Sequence, residues 1–107
     1  ATPHKVIRPW LGVVLQTVTP DLAAQAELSR KVGVVITNVE EGSPADKAGL
    51  MIGDIISRFQ GEEVIEATQL IKMLWGRDVG QSVRIAFWRG KEEKTVTVQL
   101  AERPEEL

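Results

Sequence analysis

The chain has 107 residues, of which 43% are hydrophobic and 26% charged, and these proportions are typical of one soluble domain. It contains no cysteine, which excludes disulfide frameworks, thiolate metal sites and cysteine nucleophiles. With one histidine, His4, and a net charge of −2, it lacks both a multi-histidine metal site and the basic footprint of a nucleic-acid binder. We therefore expect no cofactor, no metal ion and, without a long apolar run, no membrane insertion by this segment.

Both ends of the sequence have the composition of connecting segments. Residues 1–9 are polar and contain two prolines, which predicts a linker from a missing upstream domain. Residues 102–107 (Glu-Arg-Pro-Glu-Glu-Leu) predict an acidic tail. Residues 10–101 remain as the folded domain.

The first half of this domain alternates strands and helices. The apolar run Leu11–Val18 predicts a strand. Thr19 is a good helix cap and Pro20 suits a first helical position, so a helix is predicted from there to about Leu28. The segment Gly33–Val39 is apolar at nearly every position, as in a strand buried on both faces.

A short helix is predicted next by its end signals. Ser43 can cap it, Pro44 fits the first helical position, and Asp46 stands three residues after the cap, where it can close a capping box. Gly49 ends the helix, and Leu50 is expected to pack beneath it.

Strands dominate the second half. In the segment Ser82–Arg89 the period-two pattern directs Val83, Ile85 and Phe87 to one face. The predicted order β-α-β-α-β-β-α-β-β indicates an α+β fold, a small partly open β-barrel or sandwich of about six strands with two to three short helices. The predicted elements here are strands Asp54–Phe59, Glu63–Ile65, Ser82–Arg89 and Glu92–Leu100 and helix Ala67–Trp75.

Catalytic chemistry is poorly supported. No serine lies in a Gly-x-Ser-x-Gly turn, and the one imidazole lies in the leading linker. The paired acidic residues Glu40–Glu41, Glu62–Glu63 and Glu92–Glu93 are adjacent in sequence, so on strands they point to opposite faces. We expect no catalytic residue in this chain.

Binding is better supported by two segments. The backbone N–H groups of Leu11, Gly12 and Val13 can form a nest for a carboxylate, and the following residues Val14, Leu15 and Gln16 can offer a free strand edge. The helix Ala67–Trp75 carries two apolar stripes, Ala67/Ile71/Leu74 and Leu70/Met73. Either one stripe faces the core and the other a groove, or both face the core.

Four stretches resemble a known family: Arg8-Pro9-Trp10-Leu11-Gly12-Val13, the helix motif Gly42–Leu50, Gly53-Asp54-Ile55-Ile56 followed by Gln60-Gly61, and Ala67–Leu70. Together they resemble a PDZ domain of the circularly permuted bacterial type. The resemblance covers about residues 8–100. It is strongest to the PDZ domain that follows the protease domain of HtrA-type (DegP/DegS-like) trypsin-fold serine proteases.

The resemblance implies that a peptide adds as a strand between residues 13–16 and the helix. Its C-terminal carboxylate would bind the loop Trp10-Leu11-Gly12-Val13, and Arg8 either attracts that carboxylate or is an exposed linker charge. Pro9 replaces the glycine that the family usually carries before the aromatic residue of the loop. Ala67 stands where many eukaryotic PDZ domains carry a histidine that recognises Ser or Thr in the peptide, so we expect no preference for Ser or Thr in the ligand. The last side chain of the peptide would enter a pocket of Leu11, Val13, Leu15, Ile71 and Leu74.

By this resemblance the chain is a regulatory or substrate-recruiting module of a bacterial envelope (periplasmic) serine endopeptidase and is not itself an enzyme. Its partners would be hydrophobic C-terminal or exposed peptides of misfolded proteins and its own upstream protease domain. The chain alone would be a monomer, and the parent protein an oligomer. Two alternatives stay open: another host, such as a site-2-type metalloprotease, a tail-specific protease or a secretion component, and a structural domain whose groove is occupied by a neighbour's Glu-Glu-Leu tail.

Overall fold

A computed structural model describes residues 9–28 and 30–102 of the chain. The predicted element order is confirmed, with one short strand added at each end. In chain order the elements are β1 (Pro9–Trp10), β2 (Val13–Thr17), α1 (Pro20–Gln25), β3 (Val34–Val39), α2 (Pro44–Ala48), β4 (Ile55–Phe59), β5 (Glu62–Glu63), α3 (Ala67–Trp75), β6 (Ser82–Arg89), β7 (Glu92–Gln99) and β8 (Ala101–Glu102).

The strands form one antiparallel sheet and a separate small ribbon. The sheet has the order β2-β3-β4-β6-β7, with β5 paired to β4 as its sixth strand. The ribbon pairs β1 with β8, so that Pro9 lies opposite Glu102 and Trp10 opposite Ala101. The α+β prediction of about six strands in an open arrangement is therefore confirmed. Because β2 ends the sheet, one of its edges has no strand partner among the described residues.

Two apolar clusters cover the two faces of the sheet. Val34 and Ile56 belong to the main core, whereas their strand neighbours Val35 and Ile55 pack on the other face beside α1. The side chains predicted to face inward from β6 are fully buried. The main core is built from Leu11, Val34, Ile36, Ala45, Leu50, Ile56, Phe59, Val64, Leu70, Leu74, Val83, Ile85, Phe87, Val98 and Leu100.

Several predicted boundaries are wrong. The first long strand begins at Val13, because Leu11 and Gly12 form a loop. Helix α1 ends at Gln25 rather than near Leu28, because Glu27 adopts a left-handed conformation with φ 53°. β5 is Glu62–Glu63, not Glu63–Ile65.

The prediction of burial on both faces holds for only half of β3. Val34, Val35 and Ile36 are buried, but Thr37 and Asn38 are exposed. Both apolar clusters therefore rest on the first three residues of this strand.

Helix α2 forms as its end signals predict. The Ser43 hydroxyl accepts a hydrogen bond from the Asp46 N–H at 3.2 Å, and Gly49 ends the helix in the left-handed conformation with φ 90°. The Asp46 carboxylate reaches back to the Gly42 N–H at 2.8 Å, one residue before the position expected for a capping box. Leu50 is buried as predicted.

Among the described residues, no helix combines the length and the apolar character that crossing a membrane requires.

Candidate functional site

The loop between β1 and β2 turns its carbonyl groups toward the protein. The Leu11 carbonyl accepts a hydrogen bond from the Ala45 N–H at 2.9 Å, and the Gly12 carbonyl accepts one from the Glu40 N–H at 2.8 Å. All peptide bonds between the described residues are trans, so the N–H that shares a peptide unit with each carbonyl points the opposite way. The N–H groups of Gly12 and Val13 therefore point away from α2 and β3.

Within the described part of the chain, the Leu11 and Gly12 amides have no hydrogen-bond acceptor. The Val13 amide faces away from β3 because Val13 and Val39 form a pair in which neither donates to the other. Three successive donors are thus available along this loop. Such a concave run of amides is suited to an anion, and a carboxylate is the natural one at the end of a peptide.

Gly12 is required at the centre of this loop. Its φ of +88° is a conformation that side chains rarely adopt, and a Cβ built there would collide with the Cβ of Ser43. Ser43 is buried as the cap of α2, so it cannot move aside without loss of that cap. The loop and the start of α2 are consequently packed as one unit.

An apolar cavity of about 400 Å³ lies beside the loop. The structure brings together here all five residues of the predicted pocket: Leu11, Val13, Leu15, Ile71 and Leu74. Trp10 and Gly12 of the predicted loop also line it, and Pro9, Glu40 and Trp75 complete the wall. The cavity lies toward the small end of the roughly 300–1,000 Å³ range of ligand pockets, which suits a single large side chain.

The free edge of β2 leads away from this cavity. Its side chains alternate, so that Val13, Leu15 and Thr17 are half-buried while Val14 and Gln16 are exposed. Val14 and Gln16, predicted as groove residues, do not line the cavity. They can contribute only through the backbone of the edge strand.

Ala67, also predicted in the groove, lies at the other end of α3. Its backbone N–H donates a hydrogen bond of 2.9 Å to the Thr17 hydroxyl. Glu66, the residue before the helix, gives no side-chain cap, so Thr17 supplies the cap from β2. This bond ties the last residue of β2 to the first residue of α3 and fixes their separation at the far end of the groove.

Trp10 has a second environment besides the cavity. Its ring is half-buried, and its Nε1 atom is buried without a hydrogen-bond partner among the described residues. It also lines a larger cleft of about 620 Å³, together with Lys47, Thr97, Gln99 and others. That cleft lacks the outward N–H groups of the loop, so the smaller cavity is the better candidate. Arg8 lies outside the described residues.

The sequence reasoning missed Pro9, Glu40 and Trp75 as cavity residues. Trp75 follows Ile71 by four residues on the same helix, and this spacing alone could have indicated it. Glu40 enters the site because it follows Val39, the residue that pairs with Val13 across β2 and β3. No local sequence signal predicts that pairing.

Comparison with known proteins gives a consistent result. The model of the PDZ domain family matches residues 9–100. A "Probable periplasmic serine endoprotease DegP-like" from Ectopseudomonas mendocina is 36% identical over 95% of this chain and 22% of its own length. The relative with the same name from a Marinomonas strain is 38% identical over 94% of this chain and 21% of its own length. This chain therefore spans about a fifth of the curated relatives that it matches.

Solved structures agree on the fold. The HtrA-type protease AlgW with a decapeptide superposes with a TM-score of 0.85 at 29% identity, over 94% of this chain and 31% of AlgW. The HtrA3 PDZ domain bound to a phage-derived ligand (FGRWV) superposes with a TM-score of 0.81 over 92% of this chain and 89% of that domain. At 18% identity, the latter speaks for the fold alone.

Proposed function

Because the chain belongs to the PDZ domain family, we propose that it is a peptide-binding module that takes hydrophobic C-terminal peptides by strand addition. The peptide pairs with the free edge of β2 and lies between this strand and α3. Its carboxylate accepts hydrogen bonds from the amides of Leu11, Gly12 and Val13. Its last side chain enters the cavity of about 400 Å³.

One observation carries this proposal: the carbonyls of Leu11 and Gly12 are held by Ala45 and Glu40, which leaves the adjoining amides directed outward beside an apolar cavity. Unsatisfied amides next to apolar surface have an energetic cost unless water or a ligand satisfies them. A peptide that ends in an apolar residue supplies both an anion for the amides and a side chain for the cavity. A metal ion supplies neither the anion nor the side chain.

We further propose that the parent protein is a serine endopeptidase of the bacterial envelope, since the curated relatives are named as periplasmic serine endoproteases. In this proposal residues 10–101 recruit substrate peptides or regulate the upstream protease domain. Regulation requires the peptide to bind the active arrangement of the protease more tightly than the inactive one. A Gly-Asn-Ser-Gly-Gly segment upstream of residue 1 would identify the trypsin-fold host, and a zinc-protease motif in its place would identify a different one.

The test compares a free-acid peptide that ends in Val, Leu or Phe with its amidated twin. The 107-residue chain is titrated with each peptide while its backbone amide resonances are followed. We expect the free acid to shift Leu11, Gly12 and Val13, and amidation to weaken binding by about 1–3 kcal/mol, or roughly 5- to 150-fold, because amide donors lose their anion.

Three other outcomes would contradict parts of this proposal. If the free acid and the amidated peptide bind equally well, the groove recognises the side chains of the peptide and the loop amides do not bind its carboxylate. No shift at millimolar peptide would favour a structural domain. If resonances broadened with protein concentration alone, the groove would be occupied by a second copy.

A further inference from the structure

We propose that the molecule has a second strand-binding groove, between the free edge of β7 and helix α2, which accepts an extended acidic segment of another polypeptide. This inference goes beyond the function proposed above, because it concerns the opposite edge of the large sheet. The order β2-β3-β4-β6-β7 leaves β7, like β2, with a strand neighbour on only one side among the described residues.

The backbone of β7 presents unused hydrogen-bonding groups at this edge. The Leu100 N–H donates to the Gln81 carbonyl at 2.9 Å, one position beyond the Ser82–Gln99 pair of the β6–β7 register. Hydrogen-bonded and non-hydrogen-bonded pairs alternate along an antiparallel ladder. The backbone N–H and carbonyl groups of Gln99 and Thr97 therefore point away from β6, and within the described chain they have no backbone partner. Such an edge is a template for another strand.

The charges that protect a free edge are confined to one end of β7. Glu92, Glu93 and Lys94 lie next to the hairpin turn, and charged side chains on an edge strand oppose pairing with other chains. The following segment Thr95–Gln99 carries no charge. This uncharged end, which includes Thr97, is the part of β7 that lines the cleft of about 620 Å³. The edge is therefore open where the cleft lies.

The cleft joins this edge to a helix. Helix α2 contributes Pro44, Lys47 and Ala48 to its lining, and β7 contributes Thr97 and Gln99. Its volume lies within the roughly 300–1,000 Å³ range of ligand pockets. The combination of a free strand edge with an adjoining helix repeats, at the other edge of the sheet, the arrangement of β2 and α3. An added strand gains main-chain hydrogen bonds from the edge and side-chain contacts from the helix.

Charge favours one kind of segment for this groove. Lys47 is exposed, lines the cleft and has no ion-pair partner among residues 9–28 and 30–102. Glu102 also lines the cleft, but it already has an interaction partner. The cation of Lys47 favours a segment that carries Asp or Glu. Pairing of β7 with β7 of a second copy would bring two Lys47 side chains to one symmetric interface, so charge disfavours self-association.

The experiment uses two blocked peptides, acetyl-Thr-Glu-Val-Glu-Thr-amide and acetyl-Thr-Lys-Val-Lys-Thr-amide. Neither has the free carboxylate that the proposed function assigns to the loop amides. Amide hydrogen exchange and amide resonances of the 107-residue chain are followed during titration. At saturation we expect the acidic peptide to slow exchange at the Thr97 and Gln99 amides by about tenfold. The Val98 amide is an internal reference, because it faces β6 and is protected without peptide.

Lys47→Gln tests the charge, and Lys72→Gln is its matched control, because Lys72 is an exposed lysine of α3 that does not line the cleft. We expect the wild-type chain to bind the acidic peptide about fivefold more tightly than the basic peptide. Lys47→Gln should remove this preference and Lys72→Gln should retain it. Thermal unfolding of each variant checks that it is folded.

Several outcomes would overturn this proposal and leave the proposed function intact. Protection of the β2 edge in place of Thr97 and Gln99, or no protection at millimolar peptide, would refute the second groove. Equal affinity for the two peptides would refute the acidic preference. Slower exchange at Thr97 with protein concentration alone would assign the edge to a second copy. Conversely, failure of a free-acid apolar peptide to bind beside β2 would refute the proposed function without touching the β7 groove.

Discussion

Two turns of this molecule treat their polar groups in opposite ways. After α2, Asp54 is buried, and both of its carboxylate oxygens are used by partners within the protein. After β1, the loop Leu11-Gly12-Val13 satisfies the carbonyls of Leu11 and Gly12 internally and leaves its amides outward. The turn with closed hydrogen bonding supports the fold, whereas the turn with unused donors is the one to which the proposed function assigns the ligand.

The closed turn is organised by one ion pair. Arg89 donates from Nε to Asp54 Oδ1 at 2.9 Å and from Nη2 to Asp54 Oδ2 at 2.8 Å, and its Nη2 also reaches the Gly49 carbonyl at 2.9 Å. Asp54 Oδ2 accepts a further bond from the Met51 N–H at 2.8 Å. The hydrogen bond with Asp54 raises the pKa of Arg89 above its ordinary value. Because the pKa of Arg89 is higher in the folded than in the unfolded chain, its contribution to stability is fully present at neutral pH and is lost only in strongly alkaline solution.

The largest expected effect comes from breaking the closed turn. Arg89→Ala leaves the Asp54 carboxylate, whose side chain is only 2% exposed, without its cation. We expect a loss of about 3 kcal/mol in the free energy of unfolding, toward the low end for a buried pair because the Arg89 side chain is 37% exposed. Urea denaturation measures this loss. Peptide affinity of the folded variant should stay within about twofold, because this turn is separate from the groove.

Arg84→Ala is the matched control, since it removes an exposed arginine from the same strand. It should change the free energy of unfolding by about 0.5 kcal/mol or less. Similar losses for the two variants would show that the Asp54–Arg89 pair has no special role.

The next effect tests the open loop itself. Gly12→Ala introduces a Cβ that collides with Ser43 at a φ of +88°. We expect a loss of about 2–3 kcal/mol in the free energy of unfolding, from strain and overpacking, and at least a tenfold loss of peptide affinity because the amides shift. Calorimetric titration with the free-acid peptide measures the second effect.

Gly61→Ala separates strain from collision. Gly61 has a similar φ of +82°, but nothing lies within 4 Å of a Cβ built there. It should cost about 1–2 kcal/mol from backbone conformation alone and leave peptide affinity unchanged. If the two variants bind peptide equally well, the packing of Gly12 against Ser43 does not shape the loop.

The smallest effect concerns the far end of the groove. Thr17→Val removes the acceptor of the Ala67 N–H, and we expect a loss of about 1 kcal/mol in stability. Peptide affinity should fall about threefold, because β2 and α3 are no longer held at a fixed separation. Calorimetric titration with a peptide long enough to reach Thr17 measures this change.

Thr19→Val is the control here, because Thr19 caps α1 through the Leu22 N–H at 3.1 Å and lies outside the cavity. It should lower stability by a similar amount without changing affinity. An equal fall in affinity for both variants would assign the effect to general destabilisation.

Local sequence signals predict most of the fold. They also predict those parts of the candidate site that depend on short-range spacing. Helix α2 was predicted closely because Ser43, Pro44 and Gly49 act within a few residues of one another. The predicted end of α1 is wrong because Glu27 takes a left-handed conformation, which glutamate rarely adopts. The pocket residues were found through a family resemblance added to helical spacing, and neither required a tertiary contact.

What the sequence could not supply is long-range pairing. The cap of α3 comes from Thr17, 50 residues away, and no propensity relates these two positions. Glu40 enters the cavity only because β3 pairs with β2 in a register that contains an irregularity between Val14 and Leu15. Tertiary geometry also decides that Trp75 stays accessible while Leu74 is covered.

The β1–β8 ribbon has a mechanical consequence. Pro9 and Glu102 are the outermost described residues of this ribbon and lie opposite each other, next to the pair Trp10 and Ala101. We expect that a pulling force applied through the flanking chain would break the pairing of β1 with β8 before it strained the large sheet. Since Leu11 follows Trp10 directly, the loop Leu11-Gly12-Val13 would be the first structure to be deformed, and under the proposed function a pulling force would therefore release the bound peptide.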